Sequence, residues 1–362
     1  MTKNVYIHIP FCKSKCKYCS FVSYPKLELK DEYIKALVKE IKHSYKGELA
    51  NTIYFGGGTP SLLKEEEFAQ ILNLFNTNYK TEITVELNPE TITLNYLKNL
   101  KKTGINRLSF GCQTFNDEIL KIIGRRHNSK DVENTVNYAR NAGFDNINLD
   151  FIYGLPEQNI YDFEKDLKQA IKIGVEHISL YGLKIDENCY FAEHPPSNLP
   201  NDDAQAEMYL KAIEILTHNN FLHYEISNFA KQGYQSKHNL NYWDNSTYYG
   251  FGAAAHGYEN EIRYYNASDL DEYIKNPLRH KHTHKLSIQE QLEEEIFLGF
   301  RKMAGINIEK INKKFKIDFS EKYSAIINKY ISYKFLKETN VGYSLTNDGI
   351  LISNTILAEF LE

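Results

Sequence analysis

Three cysteines lie close together near the start of the chain, at Cys12, Cys16 and Cys19. They share one short segment, CKSKCKYC, directly after the first predicted strand. Three thiolates at this spacing can ligate three corners of a cuboidal iron–sulfur cluster, and the intervening lysines favour thiolates and an anionic cluster. Zinc and a disulfide are the alternatives, but zinc usually takes four protein ligands, and only His8 stands nearby as a fourth. The spacing therefore favours a [4Fe–4S] cluster.

A run of glycines, Gly56, Gly57 and Gly58, ends the second predicted strand and precedes Thr59 and Pro60. Glycine residues let a ligand approach the backbone closely and leave amide groups free to bind it. By itself such a run is more typical of a tight turn than of a binding site. The run is therefore consistent with either a turn or a ligand-binding loop.

The overall composition excludes several classes of protein. The 362 residues carry 43 basic and 47 acidic side chains, without the positive excess expected of a protein that binds duplex nucleic acid. No apolar run approaches the ~18 residues needed to cross a bilayer, and the N-terminus does not resemble a signal peptide. Three of the five cysteines fall within one short segment, which indicates metal ligation in a reducing compartment. We therefore expect a cytoplasmic protein.

Strands and helices alternate along the first half of the chain, as they do in an α/β domain with a parallel sheet. The predicted strands are residues 4–10, 52–58, 82–88, 106–113, 146–153 and 176–183. The predicted helices between them are residues 31–45, 64–75, 94–102, 129–141 and 161–173.

The predicted strands have one apolar and one polar face, because the two kinds of residue alternate with a period of two. In the third strand, Ile83, Val85 and Leu87 alternate with polar residues that include Thr84 and Glu86. Strands of a parallel sheet covered on both sides are usually apolar throughout. A barrel with a polar ligand in its lumen explains the alternation, and six strand–helix units predict a partial (β/α)6 barrel, TIM-like but open on one side. An ordinary open sheet with hydrogen-bonded polar residues is the alternative.

The chain changes in character after the barrel pattern. We expect the barrel domain to span residues 1–270, a linker to occupy residues 271–286, and a small, mainly helical domain to fill residues 287–362. The last domain combines helical stretches with a short hairpin, which is similar to a winged helix. Because it mixes acidic and basic residues, we expect a structural cover rather than a DNA-binding domain.

The cysteine spacing, its place after the first strand and the barrel pattern together resemble the radical S-adenosylmethionine superfamily, in particular the oxygen-independent coproporphyrinogen III oxidases and their relatives. The resemblance covers nearly the whole chain. It implies a [4Fe–4S] cluster whose fourth iron binds the amino and carboxylate groups of S-adenosylmethionine. It also implies the residues that contact this nucleotide: Tyr6, Tyr18, Gly57, Gly58, Thr59, Glu86, Gln113, Arg125 and Asp150. For Arg125 and Asp150, an ion pair within the barrel is the alternative.

Three features resemble the haem-chaperone branch of this family rather than the oxidases. Phe21 stands where the oxidases usually carry a further cysteine, and the first strand begins near residue 4, without their long N-terminal extension. The third feature is the segment His238-Asn-Leu-Asn-Tyr242-Trp243, which holds the only tryptophan in the sequence. The resemblance implies that His238 ligates haem iron while Tyr242 and Trp243 contact the porphyrin. Ordinary packing of this segment is the alternative.

The haem-chaperone resemblance implies a protein that carries haem to an acceptor protein, with a reductant for its cluster and transient contact with membrane proteins. The alternative is an enzyme of porphyrin biosynthesis that cleaves S-adenosylmethionine reductively and converts propionates of coproporphyrinogen III to vinyl groups. A second candidate haem site is the tract His280-Lys-His282-Thr-His284, unless it is a solvated basic linker. We expect Cys112 to be a small core residue and assign no role to Cys189.

Overall fold

Residues 3–361 are described by the computed structural model, except for the side chain of residue 91. Two sheets organise this part of the chain. The strands are β1 Lys3–Ile9, β2 Ala50–Gly57, β3 Glu82–Leu87, β4 Arg107–Gln113, β5 Ile147–Tyr153, β6 His177–Gly182, β7 Leu222–Glu225, β8 Asn228–Ala230, β9 Tyr248–Phe251, β10 His256–Glu259, β11 Ile262–Asn266, β12 His280–Lys285, β13 Ile306–Asn307, β14 Leu336–Thr339 and β15 Gly342–Leu345. The larger sheet has the order β12-β11-β10-β9-β1-β2-β3-β4-β5-β6-β8-β7, and the smaller has the order β13-β15-β14.

Helices cover the larger sheet and form most of the C-terminal part. They are α1 Lys30–Ser44, α2 Glu65–Leu72, α3 Leu94–Lys102, α4 Asp117–Ile122, α5 Ser129–Asn141, α6 Ile160–Ile173, α7 Tyr190–Glu193, α8 Asp202–His218, α9 Lys237–Trp243, α10 Leu270–Lys275, α11 Ile288–Gly299, α12 Ile308–Phe315, α13 Phe319–Lys322, α14 Ser324–Ser332, α15 Asn347–Leu351 and α16 Ser353–Ala358. Local signals set their bounds. Helix α6, for example, begins after Asn159, whose side chain accepts a backbone N–H, and ends at Gly174 in the left-handed conformation. Among the helices within residues 3–361, none is both long and apolar enough to cross a membrane.

The first six strands confirm the predicted α/β fold with a partial barrel. Strands β1 to β6 lie within two residues of their predicted bounds and pair in parallel, in sequence order. Their apolar faces pack under the helices, where Phe55 and Leu149 are fully buried. Polar residues of the opposite faces, such as Thr52 and Asn148, are buried too. These polar faces therefore surround a lumen, and the sheet remains open because β12 and β7 end it as separate edges.

Helix α9 closes the lumen at the end where the parallel strands begin. The backbone N–H groups of Lys237 and His238 each donate to the carboxylate of Glu82, at the start of β3, at 3.1 Å. The side-chain amide of Asn241 donates to Asn4 in β1 at 2.6 Å. Polar residues at the first positions of the strands therefore anchor α9, and its residues are within reach of the lumen.

The segment predicted as a linker, residues 271–286, instead contributes to the larger sheet. It includes most of α10 and all of β12, which pairs antiparallel with β11. Five of the six side chains in β12 are exposed, because β12 is an edge strand. His282, His284 and both lysines of β12 face water, whereas His280 is half-buried, and the sequence therefore resembles a solvated linker. Beyond it, α11 to α16 and the small sheet form the mainly helical C-terminal part that the sequence predicted.

Candidate cofactor site at the end of the barrel

The loop that follows β1 carries the three predicted cluster ligands, Cys12, Cys16 and Cys19, and all three are partly buried free thiols. Backbone hydrogen bonds hold the loop on both sides. The N–H of Cys12 donates to Tyr24 O at 3.1 Å, and the N–H of Lys17 donates to Ile123 O at 3.0 Å. The loop therefore holds its thiols at the carboxyl ends of the strands, where open α/β sheets usually bind ligands.

A cavity of about 370 Å³ opens beside this loop, within the range of roughly 300–1,000 Å³ typical of small-molecule sites. All three cysteines line it. Eight of the nine predicted nucleotide contacts line the same cavity: Tyr18, Gly57, Gly58, Thr59, Glu86, Gln113, Arg125 and Asp150. The ninth, Tyr6, lies behind the wall, where its ring stacks at 6.3 Å on Tyr54 and its hydroxyl is 3.0 Å from His8 Nδ1. The twelve predicted cofactor residues thus come from five strands and three loops.

A chain of polar contacts joins two of the cysteines. Cys12 Sγ lies 3.3 Å from the hydroxyl of Thr59, which accepts a hydrogen bond from Asn88 at 3.0 Å. Arg125 donates to Asn88 Oδ1 at 2.9 Å and to Cys16 Sγ at 3.6 Å. The guanidinium thus stabilises negative charge on the cysteine loop. The sequence did not single out Asn88, although it lies two residues after Glu86 and shares its strand face.

Burial keeps the Cys19 thiol protonated unless a cation compensates it. The pKa of Cys19 is raised to about 11, first by burial and further by the charge of Cys16 and Cys12. Bound metal withdraws the proton from a thiol ligand, so such sites bind metal and release protons together. In the described part of the chain, no three His, Cys, Asp or Glu side chains converge at the distances of a single-ion site.

The glycine run leaves no room for side chains. Gly57 has φ +111°, and a Cβ built there lies 2.6 Å from the ring of His8. A Cβ at Gly58 lies 2.6 Å from the backbone oxygen of Phe11. His8 is itself held by Tyr6 and by the backbone oxygen of Val22, 2.9 Å from Nε2, and burial lowers the pKa of His8 to about 4. The run therefore presents bare backbone to the cavity, supported by a neutral imidazole.

Two carboxylates form the inner wall of the cavity. Glu86 accepts hydrogen bonds from the Tyr54 hydroxyl at 2.8 Å and from Gly57 N–H at 3.3 Å. Burial raises the pKa of Glu86 to about 7, and the nearby charge of Asp150 adds to the shift. Asp150 accepts from Ser109 at 3.0 Å, and burial raises its pKa as well. This pair of acceptors suits a ligand with hydroxyl or ammonium donors and a positive charge.

At the end of β4, one residue lines the cavity and its neighbour lies in the hydrophobic core. Gln113 lines the cavity and has φ +69°, a conformation that non-glycine residues adopt mainly where the surrounding structure enforces it. Cys112 is fully buried in the main core and Cys189 is buried in a smaller apolar cluster beside Ile152. The prediction that Cys112 is a core residue is therefore confirmed.

The three predicted haem residues do not face a single space. His238 is 2% exposed, with Nδ1 2.8 Å from the Thr52 hydroxyl and Nε2 2.9 Å from the Tyr242 hydroxyl. Tyr242 and Trp243 line a second cavity, of about 620 Å³, between α9 and α11. His238 can ligate haem iron only if one of its two hydrogen bonds breaks, so its role as a haem ligand stays a prediction.

The histidine tract lies on β12. His280 Nδ1–H donates a hydrogen bond to Asn266 Oδ1 at 2.8 Å, and His284 pairs with Glu290 at 2.8 Å. The exposed ring of His282 stacks on Tyr265, with ring centroids 5.3 Å apart. Of the three imidazoles, His282 is therefore the one that makes no hydrogen bond or ion pair within the described part of the chain, and it faces water beside a flat aromatic ring.

Comparisons with known proteins agree with this fold. The profile of the Radical SAM superfamily matches residues 6–170, and that of the HemN C-terminal domain matches residues 286–352. Among solved structures, coproporphyrinogen III oxidase (HemN) from Escherichia coli superposes with a TM-score of 0.88 at 21% identity, over 99% of this chain and 90% of that one. This likeness shows the fold, and the profile match to residues 6–170 together with the cysteine loop indicates the class of radical S-adenosylmethionine proteins.

Sequence relatives narrow the class further. The chain is 37% identical to the heme chaperone HemW of Lactococcus lactis subsp. lactis, over 99% of this chain and 97% of that one. It is also 37% identical to the heme chaperone HemW of Bacillus subtilis, over 99% of both chains. The chain therefore belongs to the HemW family of the radical S-adenosylmethionine superfamily. Membership implies a [4Fe–4S] cluster and S-adenosylmethionine as cofactors, and the thiols and bare backbone of the cavity fit them.

Proposed function

We propose that this protein is a cytoplasmic haem chaperone that binds a [4Fe–4S] cluster and S-adenosylmethionine and delivers haem to an acceptor protein. The observation that carries the proposal is the single cavity that combines three cysteine thiols with eight of the expected nucleotide contacts. The heme chaperones to which the chain is similar along its whole length support haem as the cargo.

Each part of the cavity has a distinct task in this proposal. Cys12, Cys16 and Cys19 hold three irons of the cluster, and Arg125 offsets the negative charge of the thiolates. The N–H groups of Gly57 and Gly58 donate to Glu86 and Ile9, so these glycines offer backbone carbonyl groups to the methionine ammonium of the nucleotide. Glu86 and Asp150 accept hydrogen bonds from its other donors. When bound, the cluster supplies one electron and an iron to which the nucleotide attaches. A cellular reductant of the cluster is therefore a required partner.

The groove between α9 and α11 offers flat surface to a porphyrin. Tyr242, Trp243 and Phe297 line it, and the guanidinium of Arg301 lies 5.4 Å from the Trp243 ring. Aromatic rings contact a porphyrin face, and a nearby cation suits its propionates. His238 is the proposed axial ligand of the iron. Exposed His282, stacked on Tyr265, is the second candidate, because its imidazole can ligate iron without first giving up a hydrogen bond within the described residues.

Metal and sulfide analysis after anaerobic reconstitution tests the cluster. We expect about four irons and four sulfides per chain, and loss of the [4Fe–4S] absorption in Cys12→Ala, Cys16→Ala and Cys19→Ala. The matched control is Cys189→Ala, which removes a buried thiol outside the cavity and should retain the cluster. Purification with zinc and no uptake of iron or sulfide would contradict the proposal.

Haem titration, followed through the Soret band, tests the cargo. We expect about one haem per chain and a changed Soret band when the axial ligand is replaced. Comparison of His238→Ala with His282→Ala identifies that ligand. A wild-type protein that takes up no haem would refute the chaperone function while leaving the cluster site intact.

A further inference from the structure

The helix that plugs the lumen, α9, touches the nucleotide cavity only indirectly. Its residue His238 stacks on the ring of Tyr54, with centroids 4.8 Å apart and planes at 23°. The Tyr54 hydroxyl donates to Glu86 Oε1 at 2.8 Å, and the other oxygen of Glu86 accepts from the Gly57 N–H. His238 of α9 therefore packs directly on Tyr54, which lines the cavity, and one further hydrogen bond joins Tyr54 to the carboxylate of Glu86.

The tautomer of His238 follows from its partners. The hydroxyl of Thr52 donates to Asn4 at 3.3 Å, so it accepts a hydrogen bond from His238 Nδ1–H. His238 Nε2 then accepts from Tyr242. Burial lowers the pKa of His238 to about 3, so the ring is neutral. The imidazole is thus fixed at both nitrogens and presents one flat face to Tyr54.

A second set of contacts runs from the start of α9 to the other carboxylate. The N–H of Ser236, which caps α9, donates to the Tyr224 hydroxyl at 3.3 Å. Tyr224 lies 2.7 Å from His177 Nε2, and His177 Nδ1 lies 2.6 Å from Asn148 Oδ1. The Asn148 amide donates to Asp150 at 2.8 Å.

These donors all point toward the carboxylate. Because Asn148 Oδ1 can only accept, His177 Nδ1 carries the hydrogen and Nε2 accepts from Tyr224. Burial holds the pKa of His177 well below its usual range, so this ring is neutral too. Hydrogen bonds that run in one direction stabilise the ionised form of the group at their end.

We propose that His238 and His177 are positioning residues of the nucleotide site, through which α9 holds Glu86 and Asp150 in place. The inference rests on the proposed nucleotide site. It gives the His238–Trp243 segment a role that haem ligation does not require: the segment supports the carboxylates that are proposed to bind the nucleotide. The proposal differs from haem ligation in its readout, which is nucleotide affinity.

The charged and titratable groups around Glu86 determine how nucleotide affinity depends on pH. They come from every surrounding element: Tyr6 in β1, Tyr54 in β2, Arg107 in β4, Asp150 in β5, Tyr181 in β6 and Tyr242 in α9. Of these, Tyr54 is the donor that His238 holds. Loss of this donor destabilises ionised Glu86, so nucleotide binding should require a higher pH.

The experiment measures the Kd of S-adenosylmethionine by equilibrium dialysis on cluster-loaded protein between pH 6 and pH 9. In Tyr54→Phe we expect the Kd at pH 7 to rise at least about 10-fold, because a hydrogen bond to a charged group is lost. The midpoint of the pH profile should rise by about one unit. His238→Ala should shift both quantities in the same direction, and Tyr224→Phe should weaken binding through Asp150.

Two further variants separate positioning from loss of stability. His238→Phe cannot form either hydrogen bond but keeps a flat ring against Tyr54, so its Kd and pH midpoint should stay nearer to wild type than those of His238→Ala. His223→Ala removes another buried histidine, stacked on Phe229 and 3.3 Å from a tyrosine hydroxyl, and should leave the Kd unchanged.

The outcomes distinguish the two proposals. Wild-type affinity and an unshifted pH midpoint in both His238→Ala and Tyr54→Phe would overturn the positioning role and leave the nucleotide site standing. Cluster-loaded wild-type protein that binds no S-adenosylmethionine would overturn the proposed function, and the positioning role with it.

Discussion

Replacement of Gly57 by alanine is the perturbation whose cost follows most directly from the geometry. Gly57 has φ +111°, and its Cβ position lies 2.6 Å from the His8 ring. The backbone strain of a side chain in such a conformation is about 1–3 kcal/mol. To make room, His8 must move and lose its contacts with Tyr6 and Val22, at about 1 kcal/mol for each hydrogen bond.

Gly104→Ala is the matched control. Gly104 has φ +101°, and the nearest atom to its Cβ position is 3.9 Å away, so this variant carries the backbone strain without the collision. The difference in the free energy of unfolding between the two variants should therefore be about 2 kcal/mol, with Gly57→Ala the less stable.

Urea denaturation of the metal-free protein measures this difference, provided that both variants share the wild-type m-value. After reconstitution, Gly57→Ala should keep its cluster but lose the change that S-adenosylmethionine causes in the EPR spectrum of the reduced cluster. Equal stability of the two variants would refute the steric argument. A wild-type response of the spectrum would refute the role of Gly57 in nucleotide binding.

Three further predictions concern charge, cargo and reaction. The pKa of Glu86 is raised in the folded state, so its burial destabilises the protein as pH rises from about 4.5 to 7. Glu86→Gln should therefore stabilise the metal-free protein at pH 8 by up to about 3 kcal/mol while weakening S-adenosylmethionine binding. A variant less stable than wild type at pH 8 would contradict this. His238→Ala should shift the Soret band of the haem complex. An unchanged band in this variant, together with a shifted band in His282→Ala, would identify His282 in β12 as the axial ligand instead. The protein should not convert coproporphyrinogen III to protoporphyrinogen IX in an anaerobic assay with dithionite and S-adenosylmethionine, because exposed Phe21 stands at the cavity rim where the oxidases usually carry a cysteine. Product formed over several turnovers would favour the oxidase function over the chaperone function.

Local patterns in the sequence determined the barrel and the reactive end of its first strand. The two-residue alternation placed Thr84 and Glu86 on one face of β3, and that face is indeed turned away from the helices. The spacing of Cys12, Cys16 and Cys19 placed three thiols on one loop. Both signals are local, because side-chain direction along a strand and the span of a short loop depend only on neighbouring residues.

Only the tertiary structure decided which residues from distant strands meet. Tyr54 reaches Glu86 across 32 positions and His238 reaches Thr52 across 186, and no local pattern encodes such contacts. The same limit explains residues 280–285, whose composition resembles a solvated linker although their backbone pairs with β11. An edge strand satisfies its hydrogen bonds through a partner far away in the sequence, while its side chains remain in water. Contacts between residues that are distant in the sequence, rather than local secondary-structure propensity, therefore determined both the support of the nucleotide cavity by α9 and the edge strand β12.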